Sequence, residues 1–267
     1  MAPRWAFARQ NREPLVTGAL TAPGDPIAVE WVHPESKSEV LLLCEHAGQA
    51  IPKRLGGLGL PEGALDRHIG WDIGAERLAR ALADRLGAPL IIQRYSRLVL
   101  DCNRPAGSAG SIPEVSDGIA VPGNQGISDQ DRAARQEMIF DPLNAAIDQG
   151  FAHVPRRAAF SIHSYTRRMQ DGVRRTWDAG FLSRHDLVTA QTFVDSISGL
   201  EPGLVLGVNQ PYQIEADSDW FIPHHAERRG MRHTLVEVCN DQLGTDAQVA
   251  RWADLLAHAV GEILAAP

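Results

Sequence analysis

From residue 40 onward, short and wholly apolar runs alternate with longer segments of helical period, and this alternation limits the chain to a narrow set of folds. Runs of this kind are strands buried on both faces, and the segments between them are the helices that cover those faces. The runs are Val40–Cys44, Leu90–Ile92, Arg97–Leu100, Ala158–Ile162, Leu204–Val208 and Thr234–Val238. A helix is predicted from Ile73 to Leu86, where Leu78, Leu82 and Leu86 recur at i, i+4 and i+8 and Gly87 supplies the stop. Further helices are predicted over about 129–148, with Pro142 as a break or kink, and over about 185–198 and 246–264. The expected fold class is α/β: one domain with helices on both sides of a mostly parallel sheet.

Residues 1–37 carry Pro, Gly and single charges without a sustained period, and read as an irregular N-terminal arm. Residues 38–267 read as a single α/β domain, since 267 residues do not require a second core. Residues 105–128 are rich in Gly, Ser and Pro and are expected to form a long loop near the site. A formal net charge of −7 provides no positive field for nucleic acid or an anionic membrane. The three cysteines, Cys44, Cys102 and Cys239, suit neither a disulfide framework nor a CxxC metal site. The N-terminal residues lack the apolar stretch of a secretory signal, and no run is long enough to span a bilayer, so a cytoplasmic setting is expected.

Ten histidines are present, and position separates the candidates from the rest. His46 falls just beyond the first apolar run and His163 ends another, so both reach the carboxyl edge of the sheet, where α/β proteins collect ligands. Two imidazoles and a carboxylate make a catalytic zinc site with one position left for water. Asp72, immediately before the first helix, is a candidate third ligand, although Asp in that place is also a favoured N-cap. Glu45 and His68 are rivals; were the strand to continue through Glu45, its side chain would point away from His46. Glu237 interrupts the apolar run Thr234–Val238. It is either a carboxylate on the wet face of an edge strand or a general base that activates water and then protonates a leaving amine.

A second group of residues suits an anion. Arg97 and Asp101 would share one face of a strand, which would let Asp101 orient Arg97. Arg104 beside Asn103 offers a guanidinium fork and a neutral donor to a carboxylate, although a surface ion pair explains such residues equally well. Arg167, Arg168, Arg174 and Arg175 follow His163; such runs usually face solvent, and the sequence does not decide between Arg174 and Arg175 as a substrate contact.

Taken together, these residues resemble the N-formylglutamate amidohydrolase family, distantly related to zinc carboxypeptidases and succinylglutamate desuccinylases. The matching pieces are His46-Ala47-Gly48, Asp72-Ile73-Gly74-Ala75, Ser96-Arg97 through Asn103-Arg104, Ile162-His163-Ser164-Tyr165, Val208-Asn209-Gln210-Pro211-Tyr212 and Val236-Glu237-Val238. The chain departs from the carboxypeptidase-like pattern in that the His-x-x-Glu spacing gives way to a longer loop and Asp72 stands in place of Glu. The resemblance implies a three-layer α/β/α fold with a mixed central sheet of about eight strands. It implies one Zn2+ held by His46, Asp72 and His163, with Glu237 as catalytic carboxylate and Arg97 polarising the scissile carbonyl. Asn103, Arg104, Arg175, Asn209 and Tyr212 would bind substrate. The implied substrate is a small N-acyl amino acid carrying a carboxylate, such as N-formyl-L-glutamate, with formate and glutamate as products in histidine degradation.

Overall fold

In the computed structural model, which describes residues 20–170 and 172–266, five of the six apolar runs assemble with two further strands into one seven-stranded mixed sheet. The strands are β1 (Val29–Val32), β2 (Val40–Cys44), β3 (Leu90–Gln93), β6 (Ala158–Tyr165), β7 (Ala179–Leu182), β8 (Leu206–Val208) and β9 (Arg232–Cys239). A separate two-stranded hairpin is formed by β4 (Val115–Ser116) and β5 (Ile119–Ala120). The sheet order is β1-β3-β2-β6-β9-β7-β8. Strands β3, β2, β6 and β9 run parallel, β1 is antiparallel to β3, and β7 is antiparallel to β9 while pairing in parallel with β8.

Side-chain alternation divides the core into two layers. Val40, Leu42, Phe160, Ile162, Phe181, Val236 and Val238 face α1 (Ala75–Leu86), α4 (Leu187–Leu200) and α5 (Asp246–Ala265). Leu41, Leu43, Ala159, Leu182 and Leu235 face the opposite layer, which includes α3 (Asp141–His153) and extensive loops. Helix α5 opens with a capping box of Thr245 and Gln248 and buries Trp252 completely. Among the described residues, no helix is long and apolar enough to cross a membrane.

Several expectations need correction. Residues 29–32 of the supposed arm form β1, an edge strand, while residues 1–19 lie outside the described residues. The segment Arg97–Leu100 is a turn rather than a strand, with the Val99 amide bonded back to the Ser96 carbonyl at 2.8 Å. The 105–128 segment contains the β4–β5 hairpin. The 129–148 segment runs helical through Pro142 without ending there, as α2 (Asp129–Arg135), a π-helical turn over Gln136–Phe140, and α3. The central sheet has seven strands, close to the eight expected.

Candidate metal centre

The carboxyl ends of β2, β6 and β9 lie side by side, and the polar residues that interrupt their apolar runs meet there. His163 and Glu237 are register partners on parallel β6 and β9, so both side chains rise from the same sheet face. Strand β2 stops at Cys44, and the strand rule does not extend past its end: Glu45 and His46 both reach His163. The Glu45 carboxylate lies 3.3 Å from His163 Nε2 and accepts the Ser161 hydroxyl at 2.5 Å. The His46 and His163 rings meet edge to face, with centroids 4.8 Å apart.

Asp72 is not the N-cap of α1; that position belongs to Gly74, at φ 85°. The Asp72 carboxylate instead turns into the site. Its Oδ2 lies 2.8 Å from His163 Nδ1 and 3.5 Å from His46 Nδ1, and also accepts the Ser164 amide at 3.3 Å. His46, Asp72 and His163, all buried, present one ligand atom each within 4.8 Å of one another. His46 Nδ1, His163 Nε2 and Glu237 Oε2 are buried without a hydrogen-bond partner among the described residues. Buried polar atoms without partners are costly, and two imidazoles converging with a carboxylate fit a divalent metal ion.

The His46 imidazole is held from behind by a second carboxylate. Asp101 Oδ1 lies 2.7 Å from His46 Nε2, while Asp101 Oδ2 accepts Arg97 Nη2 at 2.7 Å. Arg97 Nη1 reaches Asp72 Oδ1 at 3.3 Å, so the arginine links two carboxylates in the wall of the site. Burial favours the neutral form of every group here, but pairing outweighs it in most. Burial would raise Asp72, but His46 and His163 hold it well below the ordinary carboxylate range. Burial and Arg97 act to lower His46, but Asp101 and Asp72 raise it; Glu45 and Asp72 likewise lift His163 well above the ordinary histidine value. Glu237 is the exception: burial pushes it up to about 7, opposed by His163 and assisted by Asp72.

His46, Asp72, Arg97, Asp101, His163 and Glu237 line a cavity of about 510 Å³ with Asn103, Arg104, His68, Tyr165, Tyr212, Ser218 and Asp219, a volume suited to a small molecule. Asn103 Oδ1 accepts the Trp220 and Phe221 amides, and its Nδ2 donates to Asp219 Oδ1 at 3.4 Å. His68 lies in the cavity wall beside Asp117, 3.6 Å away, and is not among the converging ligands. Arg174 is exposed, whereas Arg175 stacks 4.7 Å over the Tyr212 ring and donates to the Thr166 carbonyl. Neither Arg175 nor Asn209 is among the cavity-lining residues; Asn209 accepts the Ser183 amide and ties its turn to β7. The bond from Asp101 to His46 and the placement of Asp219 were not anticipated. Their partners are 55 and more than 100 residues away in sequence, and no local pattern marks such pairings.

The profile of the N-formylglutamate amidohydrolase family matches residues 38–243. The gene product Atu2144 from Agrobacterium tumefaciens, known from a crystal structure, is similar at 30% identity and a TM-score of 0.84, over 92% of this chain and 98% of that one. A bacteriophage poly-gamma-glutamate hydrolase (10% identity, TM-score 0.47, 90% and 92% coverage) and a metallo-carboxypeptidase from Burkholderia cenocepacia (11%, 0.39, 90% and 61%) superpose too loosely to bear on function. Comparison with curated proteins gives no match. The family match spans both histidines, Asp72 and Glu237, the same residues that converge at the sheet edge: this chain belongs to the N-formylglutamate amidohydrolase family.

Proposed function

We propose that the chain is a zinc-dependent amidohydrolase that removes the N-acyl group, N-formyl in the first instance, from an acidic amino acid such as N-formyl-L-glutamate. The observation that carries this reading is the convergence of His46, Asp72 and His163 beside a buried carboxylate, Glu237, whose Oε2 has no hydrogen-bond partner among the described residues. Zn2+ would be held by these three side chains and, when bound, supplies Lewis acidity to water and to the scissile carbonyl. Imidazole and carboxylate also suit other divalent ions, so metal analysis is part of the test.

The protein's own groups do the rest. Glu237, with its carboxyl raised to about 7 by burial, is poised to take a proton from the attacking water and return it to the departing amine. Arg97, fixed by Asp101 and Asp72, presents a permanent charge in the cavity wall where an oxyanion develops. Arg104 and Asn103 lie at another part of the same wall, and there they hold the substrate carboxylate. Tyr212, braced by Arg175 and by the turn that Asn209 anchors, closes one side. A cytoplasmic setting belongs to the same proposal.

The test is metal content together with formate release. About one zinc per chain, lost in His163→Ala, with turnover of N-formyl-L-glutamate, is the expected result. Turnover of other N-acyl amino acids or short peptides in preference would keep the chemistry and change the substrate. A chain that takes up no metal and hydrolyses none of them would be a binding protein on the same fold.

A further inference from the structure

The Asn103–Arg104 pair already faces a carboxylate, and it is the chain's own. Asp219 Oδ1 accepts Asn103 Nδ2 at 3.4 Å and lies 3.8 Å from Arg104 Nη1. The same Arg104 nitrogen donates to the Ser218 carbonyl at 2.7 Å. Asp219 Oδ2 accepts the Glu215 amide at 2.9 Å and the Ser218 hydroxyl at 3.2 Å, which holds the carboxylate in place. The Asp219 side chain is only 13% exposed, and it lines the cavity with Asn103 and Arg104.

Charge makes this contact consequential. Among the described residues lining the cavity, the acids are Asp72, Asp101, Asp219 and Glu237, and the arginines are Arg97 and Arg104. Arg97 is committed to Asp101 and Asp72. Arg104 is therefore the arginine left to meet a substrate anion, and Asp219 stands against it.

We propose that Asp219 is a specificity-determining residue, a resident counter-ion that a substrate carboxylate must share or displace at Asn103–Arg104. This rests on the reading above that the substrate carries a carboxylate. Its effect is to weaken the hold on every anion that enters, product included, because a like charge beside the binding cation opposes the incoming one. The pocket then recognises a carboxylate without retaining the carboxylate-bearing product.

The test is calorimetric titration of the metal-loaded protein with glutarate and with its neutral analogue glutaramide. Asp219→Asn keeps an oxygen for the Glu215 amide and removes the charge. It is expected to bind glutarate about two- to fivefold more tightly than the wild type, the scale of one partly screened charge contact, with glutaramide unchanged. Arg104→Gln should weaken glutarate binding and, combined with Asp219→Asn, abolish the gain, which shows the two residues coupled. Asp219→Ser, whose hydroxyl can also accept the Glu215 amide, is the second variant should Asn fail to fold, with thermal melts confirming folding. Glutarate affinity unchanged or weakened in a folded Asp219 variant overturns the proposal. Titration needs no turnover: an inactive chain with the gain would refute the proposed reaction and support Asp219, and an active chain without it would do the reverse.

Discussion

His163 and Glu237 are register partners on neighbouring parallel strands, so one sheet face carries a metal-ligand candidate and a buried carboxylate side by side. Strand pairing fixes their separation more firmly than any loop could, because shifting it would break the β6–β9 ladder. Replacing Glu237 with Gln keeps volume and removes the proton acceptor. Turnover should fall by about 10²–10⁴-fold while metal content stays at that of the wild type. Elemental analysis and formate assays on the same sample check both halves, and a metal-loaded Glu237→Gln that still turns over would remove Glu237 from the mechanism.

Asp101 ties His46 to Arg97 through its two oxygens. Asp101→Asn keeps the shape but loses the charge that holds the His46 Nε2 proton and the guanidinium. Metal affinity should drop by about 10–100-fold, as for other carboxylates that orient ligating histidines. Competition with a chromophoric chelator measures it. An unchanged affinity would mean that Asp101 serves Arg97 alone.

The buried groups make the stability of the metal-free chain depend on pH with a definite sign. His46 and His163 have folded-state values raised above that of free histidine, so their contribution is full below about 6.5 and is lost as pH rises through the folded values. Glu237 acts in the same direction: its folded value of about 7 exceeds its ordinary 4.5, so stability falls as pH rises between the two. The melting temperature of chelator-treated protein should therefore decline from mildly acidic to mildly alkaline pH. Metal, which replaces the histidine protons, should reverse that trend. Thermal melts across this range with and without zinc decide it, and a metal-free melting temperature that rises with pH would contradict the pairing described.

Much of this was readable in the sequence because strand-end histidines are a local signal. Val40–Cys44 and Ala158–Ile162 read as buried strands and are strands, which brings His46 and His163 out at the same edge. Glu237 stood out as a charge inside an apolar run. The turn at Arg97–Leu100 read as a strand because Leu-Val-Leu is apolar in either state. Arg97 and Asp101 meet all the same, and more closely than on a strand, because residues four apart adjoin on a helical turn but lie about 13 Å apart on a strand face. Strand β1 escaped notice because four residues pairing at a sheet edge carry little periodicity. Asp219 had no local mark at all: its role exists only once a turn more than 100 residues away meets Asn103.

Gly180 tests how the remaining wall is built. It is the antiparallel register partner of Glu237 on β7, and a Cβ there would overlap the carbonyl oxygen of Gln210. Only glycine lets the 209–212 turn lie directly against the strand, and that turn delivers Tyr212 to the cavity. In Gly180→Ala the strand cannot yield, because β9 pairs along its other edge, so the turn must move. Stability should fall by about 1–3 kcal/mol, the usual cost of forcing a methyl into a filled space. The KM for an N-acyl amino acid should rise more than kcat falls, because Tyr212 closes the pocket while Glu237 stays in its ladder. Denaturant melts and steady-state kinetics separate the two effects. An unchanged KM in a destabilised Gly180→Ala would mean that the turn supports the fold and takes no part in holding substrate.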